Sequence, residues 1–596
     1  MTGTDVQFAI CGSAGDGTIA AGDILKRTMA AMGYKVIAFD IYPAEIRGFG
    51  KCISRVRVSI EQAYSLKRRS DVFLSLNDAH AIPHVGEVRD FGAVVYDDAP
   101  IATIPEGAHI SAHIRPAQLP YGASFRQISD KVTGNARARN LVALGYLAGL
   151  YGMPRDAFHK TIGRKFATKA ASVTQVNVRA FDAGYDAGAS VFKLDDVVMA
   201  PPPVGADGSR AQMMTGNGAT VRGLLDADID CFFGYPITPA TSIMERLATD
   251  LPKRGGRMLQ TEDEISAIAA TIGAGYAGAR AATATSGPGL ALMTEMMGLG
   301  VIAEVPSVTI VSQRGGPSTG LPTKTEQSDL NLAVYGGSGD AQRIVLAPTN
   351  VEGCYRCAGI AFELAEKFQT PVIVLIDLYL SNRYETVIPP EVKPFAPKAI
   401  PDAAGRSSGP FKRFAFTDDG LSPRAIPGQN GGVHTITGLE HNELGRPADQ
   451  ADNHQRMSRK RHDKLLAATR HPGLTVAKRF GRTGKVDVGI LGWGSTFGEI
   501  LEAMYAAERE GISCSAMKVV MLSPLPVHLI EPFFDDCRIV LVPELNHEGQ
   551  LAHLVSGTLG RPVVRLDRVT GAPMEVDTIL AEIRRLALGP AAGNAA

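Results

Sequence analysis

Three carboxyls stand together in Gln260-Thr261-Glu262-Asp263-Glu264, between the strand-like RMLQ and the helix-like ISAIAATIGAGYAGA. A carboxylate so placed can accept a hydrogen bond from a ring nitrogen or help move a proton. It can equally serve the helix alone, because acids suit the positive helix end and Thr261 with Glu264 makes a capping-box pattern. Further along, Gln313-Arg314-Gly315-Gly316-Pro317-Ser318-Thr319-Gly320-Leu321-Pro322-Thr323 sets a fixed cation beside hydroxyls, a clamp suited to a carboxylate. In Gly234-Tyr235-Pro236-Ile237-Thr238-Pro239 the prolines fix a turn that presents Thr238, either as a donor to a ligand or as a turn or cap residue. Thr285-Ser286-Gly287-Pro288-Gly289 is a further strand-to-helix turn.

Near the start, Gly12-Ser13-Ala14-Gly15-Asp16-Gly17-Thr18 follows the apolar VQFAIC and opens a helix, where free backbone N–H groups and the helix dipole favour a phosphate or pyrophosphate. The spacing departs from G-x-G-x-x-G, and a tight strand-to-helix turn needs glycine in any case, so anion binding and plain geometry account for the loop equally well. Arg47, Lys51, Arg55 and Arg57 follow. Strand alternation puts Arg55 and Arg57 on one face, to meet an anion or to line a solvated strand edge. Cys354-x-x-Cys357 lies in a helical pattern with no second pair beside it, and reads as two small core residues rather than metal ligands.

The elements that must position these residues alternate as strand, turn and helix. Apolar runs at VQFAIC, VIAFD, DVFLSLN and GAVVYDD build a first α/β domain, residues 1–195, ended by a Pro- and Gly-rich linker at 196–211. A second, at 212–388, has strands at CFFGYP, RMLQ, AATATS, SVTIVSQ and TPVIVLIDL, the pattern of a parallel sheet covered by helices. From 389 to 480 the periodicity fades into Pro, Gly and charge, which reads as a connector draped over the surface. A third domain, 481–596, has strands at VDVGILGWG, SAMKVV, RIVLVPE and PVVRLD. The 596 residues carry 61 Lys plus Arg against 61 Asp plus Glu, which argues against a general nucleic-acid or membrane surface. With no basic leader and no run of roughly 18 apolar residues, the expectation is a cytoplasmic protein whose seven cysteines are reduced.

Taken in order, YPITP, QTEDE, TSGPG, QRGGPSTGLPT with TEQSDL, TGLEH at 437–441 and PELNHEGQL at 543–551 resemble the α subunits of 2-oxoacid:ferredoxin oxidoreductases whose γ domain is fused at the N-terminus. The resemblance spans nearly the whole chain and implies three α/β domains with mostly parallel sheets. These are a γ domain, a thiamine pyrimidine-binding domain and a transketolase C-terminal-like domain that helps assembly. It implies that Ser13, Gly15, Asp16, Gly17 and Thr18, with Arg57, Ser54 and Arg47, contact coenzyme A. It implies that Glu262 hydrogen-bonds the aminopyrimidine of thiamine diphosphate beside Tyr235 and Pro236, supporting removal of the thiazolium proton. Thr238 and Arg314 match the residues that hold the 2-oxoacid carboxylate. The loop resembles the 2-oxoglutarate members more than the pyruvate ones, which offers Ser318, Thr319 and Lys324 to a distal carboxylate. Pyruvate and branched-chain 2-oxoacids stand as alternatives, as do a transketolase-like transferase and a scaffold without activity.

Two gaps qualify the match. Gly15-Asp16-Gly17 has no Asn-Asn at the distance of a magnesium-diphosphate signature, and no four cysteines cluster for iron and sulfur. The family accounts for both with a separate β subunit that carries the diphosphate, Mg2+ and a [4Fe-4S] cluster in an (αβ)2 heterotetramer serving ferredoxin, so no metal ligand is expected on this chain. Where many relatives have Gly-Asn-Glu, this chain has Gly216-Asn217-Gly218.

Overall fold

The computed structural model describes residues 4–42, 50–98, 109–202, 208–391, 393–398 and 409–588, and Arg47 lies outside them. The fold is α/β with three sheets, divided between two compact units, one of residues 1–214 with 383–389 and one of 215–382 with 390–596.

The first unit is built on an eight-stranded sheet. Its order is Leu119–Ala123, Val88–Asp97, Ser70–Ser75, Asp5–Ser13, Lys51–Ser59, Lys35–Ile41, Tyr384–Val387 and Gln212–Thr215. Asp5–Ser13 pairs in parallel with Ser70–Ser75 but antiparallel with Lys51–Ser59, so the basic strand lies inside the sheet and is no solvated edge. Tyr384–Val387 pairs antiparallel with Lys35–Ile41. It and Gln212–Thr215 stand at the two ends of the span expected for the second domain, yet they belong to this sheet; at four residues each they are too short for periodicity to assign. The helix Arg139–Leu150 is buried from Asn140 to its end. A Cβ on its Gly145 would overlap the Phe181 carbonyl, and one on Gly184 would overlap the Val142 carbonyl, so this helix and Ala171–Ala189 touch backbone to backbone.

The second unit holds the other two sheets. The order of the first is Met521–Ser523, Ile344–Leu346, Pro371–Asp377, Ser307–Gln313, Ala281–Thr285, Cys231–Gly234 and Arg257–Gln260, parallel apart from its first strand. The second runs Ala477–Gly481, Cys514–Val519, Val486–Gly492, Cys537–Glu544 and Val564–Asp567. Gln327 ties the two sheets: its Oε1 accepts Thr496 Oγ1 at 2.9 Å, and its Nε2 donates to Asp377 Oδ2 at 3.4 Å. In the PELNHEGQL segment, buried Glu544 accepts the N–H groups of Leu551 at 2.8 Å and Ala552 at 3.1 Å, closing the start of the helix Gln550–Leu559.

The segment read as a surface connector is instead anchored in the interior. Its helix Ala451–Leu466 buries Met457, Lys460 and Lys464 on one face. Lys460 Nζ lies 2.7 Å from Glu304 Oε1 and Lys464 Nζ 2.6 Å from Oε2, while Arg413 Nη2 donates to the Glu304 carbonyl at 2.6 Å. Among the described residues no helix is long and apolar enough to cross a membrane.

Candidate functional site

The site is built by strands that stop together. Register pairs Gly234 with Gln260, Thr285 with Val311 and Gln313 with Asp377, so the turns at 235–239, 261–264, 286–289 and 314–324 all leave the same carboxyl edge of the seven-stranded sheet. That edge is where an open parallel sheet receives its ligands.

Arg314 is 7% exposed and donates from Nη1 to the Thr238 carbonyl at 2.8 Å. This bond reaches across the intervening strand Ala281–Thr285 and joins two of the expected substrate residues directly. Arg314 Nε has no partner, nor does the Ser286 hydroxyl, and both are out of solvent. Burial lowers the Arg314 pKa from the usual arginine value, with Asp329 pulling the other way. Asn217 donates to the Pro239 carbonyl and to Ser242 Oγ, both at 2.9 Å, which fixes the Thr238 turn from below and leaves its own Oδ1 unpaired. A side chain at Gly218 would meet Arg246 Nη1 at 3.0 Å.

The three carboxyls of QTEDE separate into distinct roles. Asp263 is the N-cap of the helix Glu264–Tyr276 and accepts Ser266 N at 2.7 Å, replacing the Thr261–Glu264 box expected from the pattern. Thr261 donates instead to the Asp263 carbonyl at 2.9 Å. Glu264 turns inward, its Oε1 2.7 Å from where a Cβ on Gly289 would stand. Glu262 alone is exposed and makes no hydrogen bond or ion pair among the described residues. It remains free to accept a donor from outside the chain.

Around this edge the other expected residues vary. Tyr235, Pro236 and Thr238 are exposed on one turn. Ser318 and Thr319 stand exposed in a loop closed by Leu321 N to the Gly315 carbonyl at 2.8 Å and Gly315 N to the Lys324 carbonyl at 3.0 Å, with no hydrogen bond to Arg314. Lys324 is exposed, its stem lying over Gly571. Two acids that sequence pattern did not single out also face the site, Glu326 and Asp329. Asp329 precedes the helix Leu330–Tyr335 and so resembles an ordinary cap, yet its side chain makes no cap hydrogen bond.

In the first unit, Gly15 and Gly17 adopt φ of 96° and 78°, and Gly15 has open space about it. Asp16 Oδ2 accepts Ser13 N at 2.8 Å and its other oxygen pairs with Arg139. The buried Thr18 hydroxyl has no partner. The basic strand meets this loop through Lys51, which pairs in register with Ser13. Arg57 pairs with Gln7, six positions back along the strand, which at about 3.4 Å per residue is roughly 20 Å away. There it makes a two-pronged ion pair with Asp5 at 2.8 and 2.9 Å. Ser54 is fully buried and donates to Asp40 Oδ1 at 2.6 Å. Neither Arg57 nor Ser54 is brought to the loop.

Comparison with known proteins adds the following. A family model described as "Pyruvate flavodoxin/ferredoxin oxidoreductase, thiamine diP-bdg" matches residues 222–460, and one described as "Pyruvate ferredoxin/flavodoxin oxidoreductase" matches residues 7–187. The chain is 32% identical to the 2-oxoglutarate oxidoreductase subunit KorA of Mycobacterium tuberculosis, over 98% of this chain and 92% of that one. It is 30% identical to 2-oxoacid:ferredoxin oxidoreductase 2, subunit alpha, of Aeropyrum pernix, over 98% of each. Among solved structures, the 2-oxoglutarate:ferredoxin oxidoreductase of Magnetococcus marinus, with 2-oxoglutarate, coenzyme A and succinyl-CoA bound, superposes with a TM-score of 0.92 at 36% identity, covering 98% of this chain and 100% of that chain.

Proposed function

Since this chain belongs to the family of 2-oxoacid:ferredoxin oxidoreductase α subunits, we propose that it serves a complex that converts 2-oxoglutarate and coenzyme A to succinyl-CoA and carbon dioxide, passing two electrons to ferredoxin. The observation that carries this reading is the bridge from buried Arg314 to Thr238, formed at the same strand edge as the free carboxylate of Glu262.

Thiamine diphosphate, when bound, supplies the nucleophilic carbon and the electron sink that decarboxylation of a 2-oxoacid requires. The residues fit it: Glu262 offers an unengaged acceptor, and Ser286 Oγ and Asn217 Oδ1 are buried polar atoms without partners along the same set of turns. Arg314 uses Nη1 on the Thr238 carbonyl and keeps other N–H groups for the substrate's carboxylate, with the Thr238 hydroxyl beside it. That holds the oxo carbon in one orientation. Lys324, Ser318 and Thr319 are exposed and able to meet a second carboxylate, which favours 2-oxoglutarate over pyruvate. In the first unit, the loop Ser13–Thr18 takes a phosphate of coenzyme A, with Lys51 rather than Arg57 as its cation. A β subunit brings Mg2+, the diphosphate site and a [4Fe-4S] cluster, in a cytoplasmic (αβ)2 assembly.

The test is an anaerobic assay of the natively purified complex, following viologen reduction with 2-oxoglutarate or pyruvate, each with and without coenzyme A. Reduction that requires 2-oxoglutarate and coenzyme A together is expected. Preference for pyruvate overturns the substrate, and turnover without any electron acceptor overturns the redox reaction. Glu262→Gln is expected to lower turnover by about 10²- to 10⁴-fold; full activity in that variant removes Glu262 from the mechanism.

A further inference from the structure

Asp329 is a half-buried charge that the proposed reaction does not use. Its backbone N–H donates to Gln313 Oε1 at 3.0 Å, and the next residue but one is held by Asn331 N donating to Gln550 Oε1 at 2.9 Å, so the segment is fixed on both sides. The carboxyl packs on the Cα of Gly287, where a Cβ would stand 2.6 Å from Oδ2 and 2.7 Å from Oδ1. Oδ2 is out of solvent and accepts nothing. The charged groups that act on it are Arg314, from the neighbouring strand end, and Glu326, from its own loop; the first turn of the helix Gly287–Ile302 packed against it carries no acid.

The charge of Arg314 thus already acts on one carboxyl, that of Asp329, before any substrate arrives. A 2-oxoacid brings a second carboxylate to this guanidinium, and a charge out of solvent without a counter-ion is costly. A proton taken up by one of the resident acids relieves this. Glu326 already has donors on its Oε2, which accepts Ser328 Oγ at 3.2 Å and Gly316 N at 3.3 Å. Asp329 has no such support on its buried oxygen.

We propose that Asp329 is a positioning residue that takes up a proton from solvent when the carboxylate of a 2-oxoacid engages Arg314, handing the guanidinium's full charge to the substrate. This rests on the reading of Arg314 as the substrate clamp. In keeping with the geometry, burial and the charge of Glu326 push the Asp329 carboxyl up to about 6, against the pull of Arg314. Below that pH the acid is already neutral. Above it, binding must bring the proton along, so affinity falls as pH rises, by up to about tenfold per pH unit. The substrate's own carboxylates stay ionised throughout.

The experiment is KM for 2-oxoglutarate, with kcat measured alongside, from pH 5.5 to 8 on the holo complex, for the natural chain, Asp329→Asn and Asp329→Ser. The natural complex is expected to show KM rising above about pH 6, and both variants a flat KM near its low-pH value. A flat KM in the natural complex overturns the proposal whether or not the variants fold, and so does an unchanged slope in either variant. Arg314→Ala separates the two layers. If it raises KM while the Asp329 variants keep the slope, the proton-uptake role alone falls; if it leaves KM unchanged, the clamp reading falls and this proposal with it.

Discussion

Glu304 is fully buried and Asp329 half-buried in the same unit, and the two acids are treated in opposite ways. Glu304 has a lysine ammonium on each oxygen, Lys460 and Lys464, and Arg413 on its backbone carbonyl. Burial alone would raise its pKa, yet these cations hold the carboxyl down at about 2. Asp329 feels the charge of Arg314 but has no donor on Oδ2, and Arg314 Nε, Ser286 Oγ and Asn217 Oδ1 are likewise unpaired. A cluster that serves only the fold sets a counter-charge against each oxygen of its acid. One that awaits a ligand leaves them open at the places the ligand will occupy.

Four experiments bear on that contrast. The largest effect is expected from Glu304→Ala, which strands the buried ammonium groups of Lys460 and Lys464 and should cost about 3 to 5 kcal/mol in denaturant unfolding; a change below 1 kcal/mol would mean the cluster contributes nothing to the fold. Acid titration comes next. Because the folded carboxyl is depressed from 4.5 to about 2, its stabilisation is complete above pH 4.5 and lost as pH falls from there to 2, an effect on the order of 3 kcal/mol. Thermal melting against pH should show this loss in the natural chain and not in Glu304→Gln. Arg314→Ala, on the open side of the comparison, should lower kcat/KM for the 2-oxoacid by roughly 30- to 1,000-fold, about 2 to 4 kcal/mol, with Arg314→Lys recovering part of it. The smallest effect is Ser286→Ala. Removing an unpaired buried hydroxyl should change stability by less than about 1 kcal/mol, in the stabilising direction, while the apparent affinity for thiamine diphosphate falls roughly 2- to 10-fold. A destabilised Ser286→Ala would show that the hydroxyl belongs to the closed kind of cluster.

What could be read in advance follows the same division. Five strands of the seven-stranded sheet were legible as short runs with turn residues after them, and so were the strand-end turns that carry Thr238, Glu262, Ser286 and Arg314; Ile344–Leu346 and Met521–Ser523, at three residues each, were too short to read. The helix Ala451–Leu466 was not, because two of the positions it buries are Lys460 and Lys464, and an apolar periodicity cannot register a buried cation whose counter-ion lies far off in sequence at Glu304. Asp329 escaped for a related reason: before a short helix an aspartate looks like a cap, and only the absence of a cap hydrogen bond reveals otherwise. The register of an interior strand was equally hidden. The alternation that puts Arg55 and Arg57 on one face is real, but pairing with Asp5–Ser13 sends Arg57 to the wrong end for the glycine loop.

The strand Tyr384–Val387 bears on how this chain can be divided. It sits between Lys35–Ile41 and Gln212–Thr215, so the polypeptide leaves the first unit, folds most of the thiamine-type sheet, and comes back for four residues before leaving again. A truncation beginning at residue 215 would take both neighbours away and expose Tyr384–Val387 with two unpaired edges, an invitation to pair with another molecule. The first unit is therefore completed by a second stretch of chain, and trimming at the Pro- and Gly-rich linker is expected to yield an aggregating fragment unless residues 383–389 are removed or replaced with it.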